Sequence, residues 1–172
     1  MEDIAQFFDS PFFSIVRGIS TSLIVFGAVA LVYGTVRGFL PVLWRLGKSL
    51  NNRKIALYAE TSALSLKTML TDSKLFKEKN IHIVSNDEIS KGGDYTMMIV
   101  NYPEFKDSMK QIIGQKKDED SLIVYAPQDS GRIDDEILNA INKQRNSIIV
   151  NMRGRLLNDV LTAMITTNYA KK

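Results

Sequence analysis

Apolar positions follow two regimes along this chain. Between Arg17 and Arg37 run nineteen uncharged, mostly apolar residues, GISTSLIVFGAVALVYGTV. At ~1.5 Å per residue a helix of that length approaches the ~30 Å hydrocarbon core of a bilayer. Beyond Asn52 the apolar runs shorten to four to six residues, each bounded by polar turns. They predict strands over 55–59, 81–84, 95–100, 122–126 and 147–150.

Helical spacing fills the gaps between these strands. Leu64, Leu66, Met69 and Leu70 mark a helix that Thr61 or Ser62 caps and that runs to residue 72. Ser85 and Glu88 stand at capping-box spacing, which predicts a brief helix there. Phe105, Met109, Ile112 and Ile113 predict a helix over 104–113 closed by Gly114. Ile133, Ile137, Leu138 and Ile141 mark the next, and Leu156, Leu157, Val160, Leu161 and Met164 mark a last one over 154–167.

Short apolar strands alternating with helices imply a mostly parallel sheet covered on both faces. The expected fold class is therefore α/β: an N-terminal transmembrane helix followed by a three-layer sandwich. Right-handed crossovers favour the strand order 2-1-3-4-5 for its five-stranded sheet. The expected division is 1–16 as a short non-cytoplasmic N-terminus, 17–40 as the span, 41–52 as a juxtamembrane linker with Pro41 as a candidate kink, and 53–172 as a cytoplasmic domain.

Charge adds an orientation. Arg37, Arg45, Lys48, Arg53 and Lys54 follow the span and Arg17 alone precedes it, so the C-terminal domain is expected in the cytoplasm and the N-terminus outside. The expected location is a bacterial inner membrane, crossed once. Of the 22 Lys and Arg residues four lie before Leu50, as do three of the 19 Asp and Glu residues, so the domain itself is nearly balanced and nucleic acid is an unlikely partner. Cysteine is absent and His82 is the one histidine. Zinc chemistry and Cys–His catalysis lack their residues, and no metal or cofactor is expected. Neither GxGxxG nor GxxxxGK[ST] occurs, and the chain reads YAETSALS after the first strand.

In open parallel sheets the loops at the carboxyl ends of the strands share a crevice where helix N-termini present free amides to anions. The candidate ligand residues are Thr61 and Ser62 after strand one, Asn101 after strand three, Ser130, Gly131 and Arg132 after strand four, and Arg153, Gly154 and Arg155 after strand five. An alternative reading makes these residues caps and turns, with Arg132 pairing to Asp135 or Glu136. Glu60 is the candidate catalytic carboxylate. Within the apolar run, Gly27, Ala30, Gly34 and Gly38 form a small-residue stripe suited to helix association.

The five-strand layout, with Glu60 after strand one and Asn101 after strand three, resembles the flavodoxin-like superfold, which includes phosphoacceptor receiver domains and TIR-type domains. A receiver resemblance implies an acidic group after strand one, an aspartate after strand three, a Ser or Thr after strand four and a lysine after strand five. Here Asn101 takes the aspartate's place and Asn151 and Met152 stand where the lysine would be, so the phosphoacceptor pattern is incomplete. A TIR-type resemblance implies a glutamate near the crevice, for which Glu104 and Glu136 are candidates.

The expected function is a membrane-anchored regulatory or docking subunit of a membrane assembly, a homo-oligomer or part of a larger complex, sensing an anionic or nucleotide ligand. The alternatives are a nucleotide-processing enzyme using Glu60, or a ligand-triggered membrane-disrupting effector of bacterial defence.

Overall fold

A computed structural model of the chain describes residues 11–167; the beginning of the expected N-terminal segment and residues 168–172 lie outside the described residues. A helix, α1 (Pro11–Asn52), is followed by alternating strands and helices: β1 (Ile55–Tyr58), α2 (Ala63–Asp72), β2 (Ile81–Val84), β3 (Met97–Asn101), α3 (Tyr102–Phe105), α4 (Met109–Gln115), β4 (Ser121–Tyr125), α5 (Asp135–Asn142), β5 (Ser147–Val150) and α6 (Arg153–Thr166). The chain forms two compact units, residues 1–43 and 44–172.

In the second unit all five strands pair in parallel in the order β2-β1-β3-β4-β5, as the alternation of elements predicts. β1, β3 and β4 are buried at every position, the mark of strands covered on both faces. Strand alternation divides the core into two layers. Ile55, Leu57, Met97 and Ile99 meet α2 and α6 through Leu66, Leu70, Leu156 and Val160. Ala56, Tyr58, Met98 and Val100 meet α3, α4 and α5 through Phe105, Met109, Ile112 and Ile137. In α6 the buried positions 156, 160, 163 and 164 form one stripe. Each such aliphatic side chain contributes about 1.5–3 kcal/mol on burial.

Several local expectations are corrected. The third strand begins at Met97, and Asn101 is its last residue. Tyr95 stands before it, its ring 5.2 Å from that of His82. The expected helix over 104–113 is broken: Phe105 leaves helical geometry (φ −122°, ψ 22°), a 3₁₀ turn follows, and α4 runs through Gly114 to Gln115. The periodicity survives because Phe105, Met109 and Ile112 still reach one core. The brief helix after β2 is a 3₁₀ segment, Asn86–Asp94, without a side-chain cap from Ser85. Arg53, counted above as a flanking charge, is buried within the second unit, where its guanidinium donates to Thr96 Oγ1 (3.1 Å), the Thr96 carbonyl (2.8 Å) and Thr167 Oγ1 (2.5 Å).

α1 begins before Arg17, ends after Leu40 and contains Pro41 within its length. Its most apolar window has a mean hydropathy of 2.0 and no residue buried by the rest of the described chain; it is long and apolar enough to cross a membrane. The last turns are different in kind. Leu46 and Leu50 pack on the core, Asn80 Nδ2 donates to the Asn51 carbonyl at 3.0 Å, and Lys77 donates to the Asn51 side chain.

Candidate functional site

In this strand order the chain reverses direction across the sheet between β1 and β3, so the loops leaving these two strands flank the topological switch point. The loop after β1, residues 59–62, brings the main-chain amides of Glu60 and Ser62 to that point, just ahead of α2. From the other side, Asn101 closes β3 and α3 starts at once, with Pro103 in its first turn, where a missing N–H costs nothing. This placement carries Glu104 back over the β1 loop.

The Glu104 carboxylate fills the turn. It accepts hydrogen bonds from the main-chain amide of Glu60 (2.6 Å), the amide of Ser62 (2.9 Å), the Ser62 hydroxyl (3.2 Å) and the Thr61 hydroxyl. Asn101 Nδ2 donates to Ser62 Oγ at 2.7 Å. Burial pushes the Glu104 carboxyl up, but the bonds from Glu60, Thr61, Ser62 and Asn101 outweigh it and hold its pKa below the ordinary value.

An outer layer braces this arrangement. Glu60 turns its own carboxylate to the loop after β2, accepting from Asn86 N (3.2 Å) and Nδ2 (3.0 Å). Asn86 Nδ2 also reaches the Glu104 carbonyl at 3.3 Å, and Ser108 Oγ donates to Asn86 Oδ1 at 3.3 Å. Three loops are thereby tied together by polar side chains. One atom is left over: Asn101 is only 6% exposed, and its Oδ1 is buried without a hydrogen-bond partner among the described residues.

Of the residues expected at a ligand site, Glu60, Thr61, Ser62 and Asn101 therefore come together. The others do not join them. Ser130 Oγ bonds the Pro127 carbonyl at 2.6 Å in a short 3₁₀ turn, and Gly131 follows with φ 85°, a conformation that favours glycine. Arg132 is exposed and reaches Asp135 at 2.9 Å, as the alternative reading anticipates. Asp134, not Ser130, occupies the cap position of α5. Arg153 bonds Ser65 of α2 through its carbonyl (3.1 Å) and hydroxyl (2.6 Å), while Gly154 and Arg155 lie in the first turn of α6. No hydrogen bond or ion pair joins the 130–132 turn to Arg153 or Arg155 among the described residues.

Asn86 and Ser108 were missed by sequence reasoning because neither carries a motif. Glu104 did carry a signal: with Asn101 it has capping-box spacing at a Pro-initiated helix. Its bonds, however, run across to another loop instead of back to its own helix.

Chemically, the cluster binds and orders. Both carboxylates are engaged as acceptors, Glu60 by Asn86 and Glu104 by two loop amides and the Thr61 and Ser62 hydroxyls. No group of His, Asp or Glu residues suited to a metal ion occurs among the described residues. Comparison with known protein families, with curated proteins and with solved structures finds no match to this chain.

Proposed function

We propose that this protein is a membrane-anchored docking or regulatory subunit of a membrane assembly, with α1 crossing a bacterial inner membrane once and the α/β unit on the cytoplasmic side. The observation that carries the reading is the exposed apolar sheath of α1: Leu23, Ile24, Phe26, Val29 and Leu31 are all more than half exposed. A core helix of a water-soluble protein buries such residues, whereas lipid covers them at no cost in hydration.

The polar groups on the same helix support this. Thr21, Ser22 and Thr35 return their hydroxyls to the carbonyls of Arg17, Gly18 and Leu31 at 2.9, 2.9 and 2.8 Å, a bond that satisfies them without water. Arg37 donates to the Tyr33 hydroxyl at 2.7 Å, which suits a cation held near an interface. Removing Arg53 from the flank leaves Arg37, Arg45, Lys48 and Lys54 against Arg17, and the cytoplasmic assignment stands on that excess.

Docking is favoured over turnover by the engaged state of Glu60 and Glu104. Alkaline carbonate extraction of bacterial membranes tests the anchor: the full chain is expected in the pellet, and protease should reach a C-terminal tag only after the cytoplasmic face is opened. Release into the supernatant as a water-soluble protein overturns the reading.

A further inference from the structure

The second unit begins at Trp44, and residues 44–54, WRLGKSLNNRK, contain no acid. Leu46 and Leu50 turn inward on the core, while Trp44, Lys48 and Asn51, spaced by four and three, share an exposed stripe. Asn51 receives a hydrogen bond from Lys77 on its side chain and one from Asn80 on its carbonyl, so the fold sets residues 72–80 against the end of that stripe. Lys54 stands beside Asn80, because Ile55 pairs with Ile81. Arg45, Lys48, Lys54, Lys74, Lys77 and Lys79 are thereby gathered at one corner, all exposed. Two apolar side chains are exposed among them, Trp44 at 78% and Leu75 at 40%. The acids of the same stretches are Asp72 and Glu78, and Glu78 is paired with Lys67 at 2.8 Å. The loop before β4 differs: Lys116 and Lys117 are followed by Asp118, Glu119 and Asp120, so the cationic excess is local to the corner where the chain enters the unit.

We propose that this corner is a docking surface for the anionic headgroups of a bilayer, so that the α/β unit is held on the lipid instead of hanging free from its tether. The inference rests on the membrane reading and goes beyond it: Lys74, Lys77 and Lys79 lie outside the flank of the span and join its cations only through the fold. Charge complementarity and the two apolar side chains select the occupant. A headgroup layer offers repeated phosphate charges to the ammonium groups and an apolar edge to Trp44 and Leu75, whereas a nucleic-acid backbone matches the charges and gives Leu75 no apolar seat. Each lysine at an anionic leaflet contributes about fivefold to association.

The cysteine-free sequence permits a single label, Leu75→Cys carrying an apolar fluorophore, in the full chain. It is reconstituted into vesicles of phosphatidylcholine alone or of an equal mixture with phosphatidylglycerol, each with a nitroxide at the lipid headgroup. Quenching should be several-fold stronger in the mixed vesicles and should return to the neutral level in about 1 M salt, where the Debye length is ~3 Å. Changing Lys74, Lys77 and Lys79 together to Gln should lower the docked-to-free ratio about a hundredfold. Changing Lys106, Lys110 and Arg132 to Gln, an equal loss of charge where α4 meets α5, should leave it in place. Flotation separates the two readings. A chain that floats with both vesicles and is quenched equally in them overturns the surface and keeps the anchor; one that floats with the mixed vesicles alone supports the surface and overturns the anchor; one that floats with neither overturns both. Equal quenching in both vesicles together with protection of the label by added duplex DNA overturns lipid as the occupant in favour of nucleic acid. Should the triple lysine variant fail to fold, the salt response of the labelled chain decides: loss of the extra quenching supports the surface, and its persistence overturns it.

Discussion

Gly92 lies against the hydroxyl of Tyr58: a Cβ at residue 92 would stand 1.5 Å from that oxygen and 2.3 Å from the ring carbon bearing it. Tyr58 has no room to retreat, being fully buried on β1 with its ring edge-on to Phe105 at 5.7 Å. Gly92→Ala should therefore destabilise the α/β unit by about 1–3 kcal/mol through overpacking. Chemical denaturation followed by near-UV circular dichroism measures this. Tyr58→Phe in the same background should recover part of the loss, because it removes the nearest atom and leaves the ring.

The same burial makes Tyr58 a marker of alkaline stability. Desolvation, with a smaller contribution from Tyr95, pushes its pKa up from 10.0 to about 12. Above pH 10 the unfolded chain releases this proton and the folded chain keeps it, so the unfolded state binds fewer protons and stability falls as pH rises toward 12. Below pH 10 both states hold the proton and the group contributes no slope. Denaturation midpoints across pH 9–12 should show this loss in native protein and a smaller one in Tyr58→Phe.

The sheet was legible from the sequence because strands buried on both faces appear as unbroken apolar runs, such as Met97 to Val100 and Leu122 to Val124. Handedness of the crossovers then restricted their order. The site was only half legible. Thr61, Ser62 and Asn101 follow from the rule that ligands meet strand ends, but the partner that joins them, Glu104, lies more than forty residues from the β1 loop. Local spacing describes a cap within one helix and cannot describe a contact between two loops. Arg53 misled for a related reason: a cation two residues before β1 looks like membrane flank until the strand draws it inside. The break at Phe105 was hidden because the apolar periodicity is the same for a continuous helix and a kinked one.

Neutralising Glu104 should loosen the switch point in a way that depends on pH. Hydrogen bonds to a charged group are worth ~1.5–3 kcal/mol, and the partly solvent-facing position places Glu104→Gln toward the lower end of that loss at neutral pH. Because the folded pKa lies below the ordinary 4.5, the carboxylate's contribution is complete above that value and disappears as pH falls through the folded pKa. The gap in unfolding free energy between native protein and Glu104→Gln should hold steady from pH 7 to 5 and shrink under stronger acid. A gap unchanged down to pH 3 would mean that packing, not charge, holds the loops.

The small-residue stripe of α1 allows a test of assembly that leaves the single chain undisturbed. A Cβ added at Gly27, Gly34 or Gly38 meets nothing within 4 Å, so a larger side chain there has open space in one copy of the protein. Replacing a helical glycine also removes a residue of poor helix propensity, which favours the helix by up to ~1 kcal/mol. Any loss caused by Gly34→Leu must then arise at a contact outside the chain, where small residues let a second backbone approach and leucine holds it away. With the stripe as the seam between copies, crosslinking in native membranes should give less dimer for Gly34→Leu than for the native chain. Val29→Ala, on the helix face opposite the stripe, should leave the yield unchanged. Equal yields for Gly34→Leu and the native chain would exclude the stripe as the contact and leave association to the α/β unit.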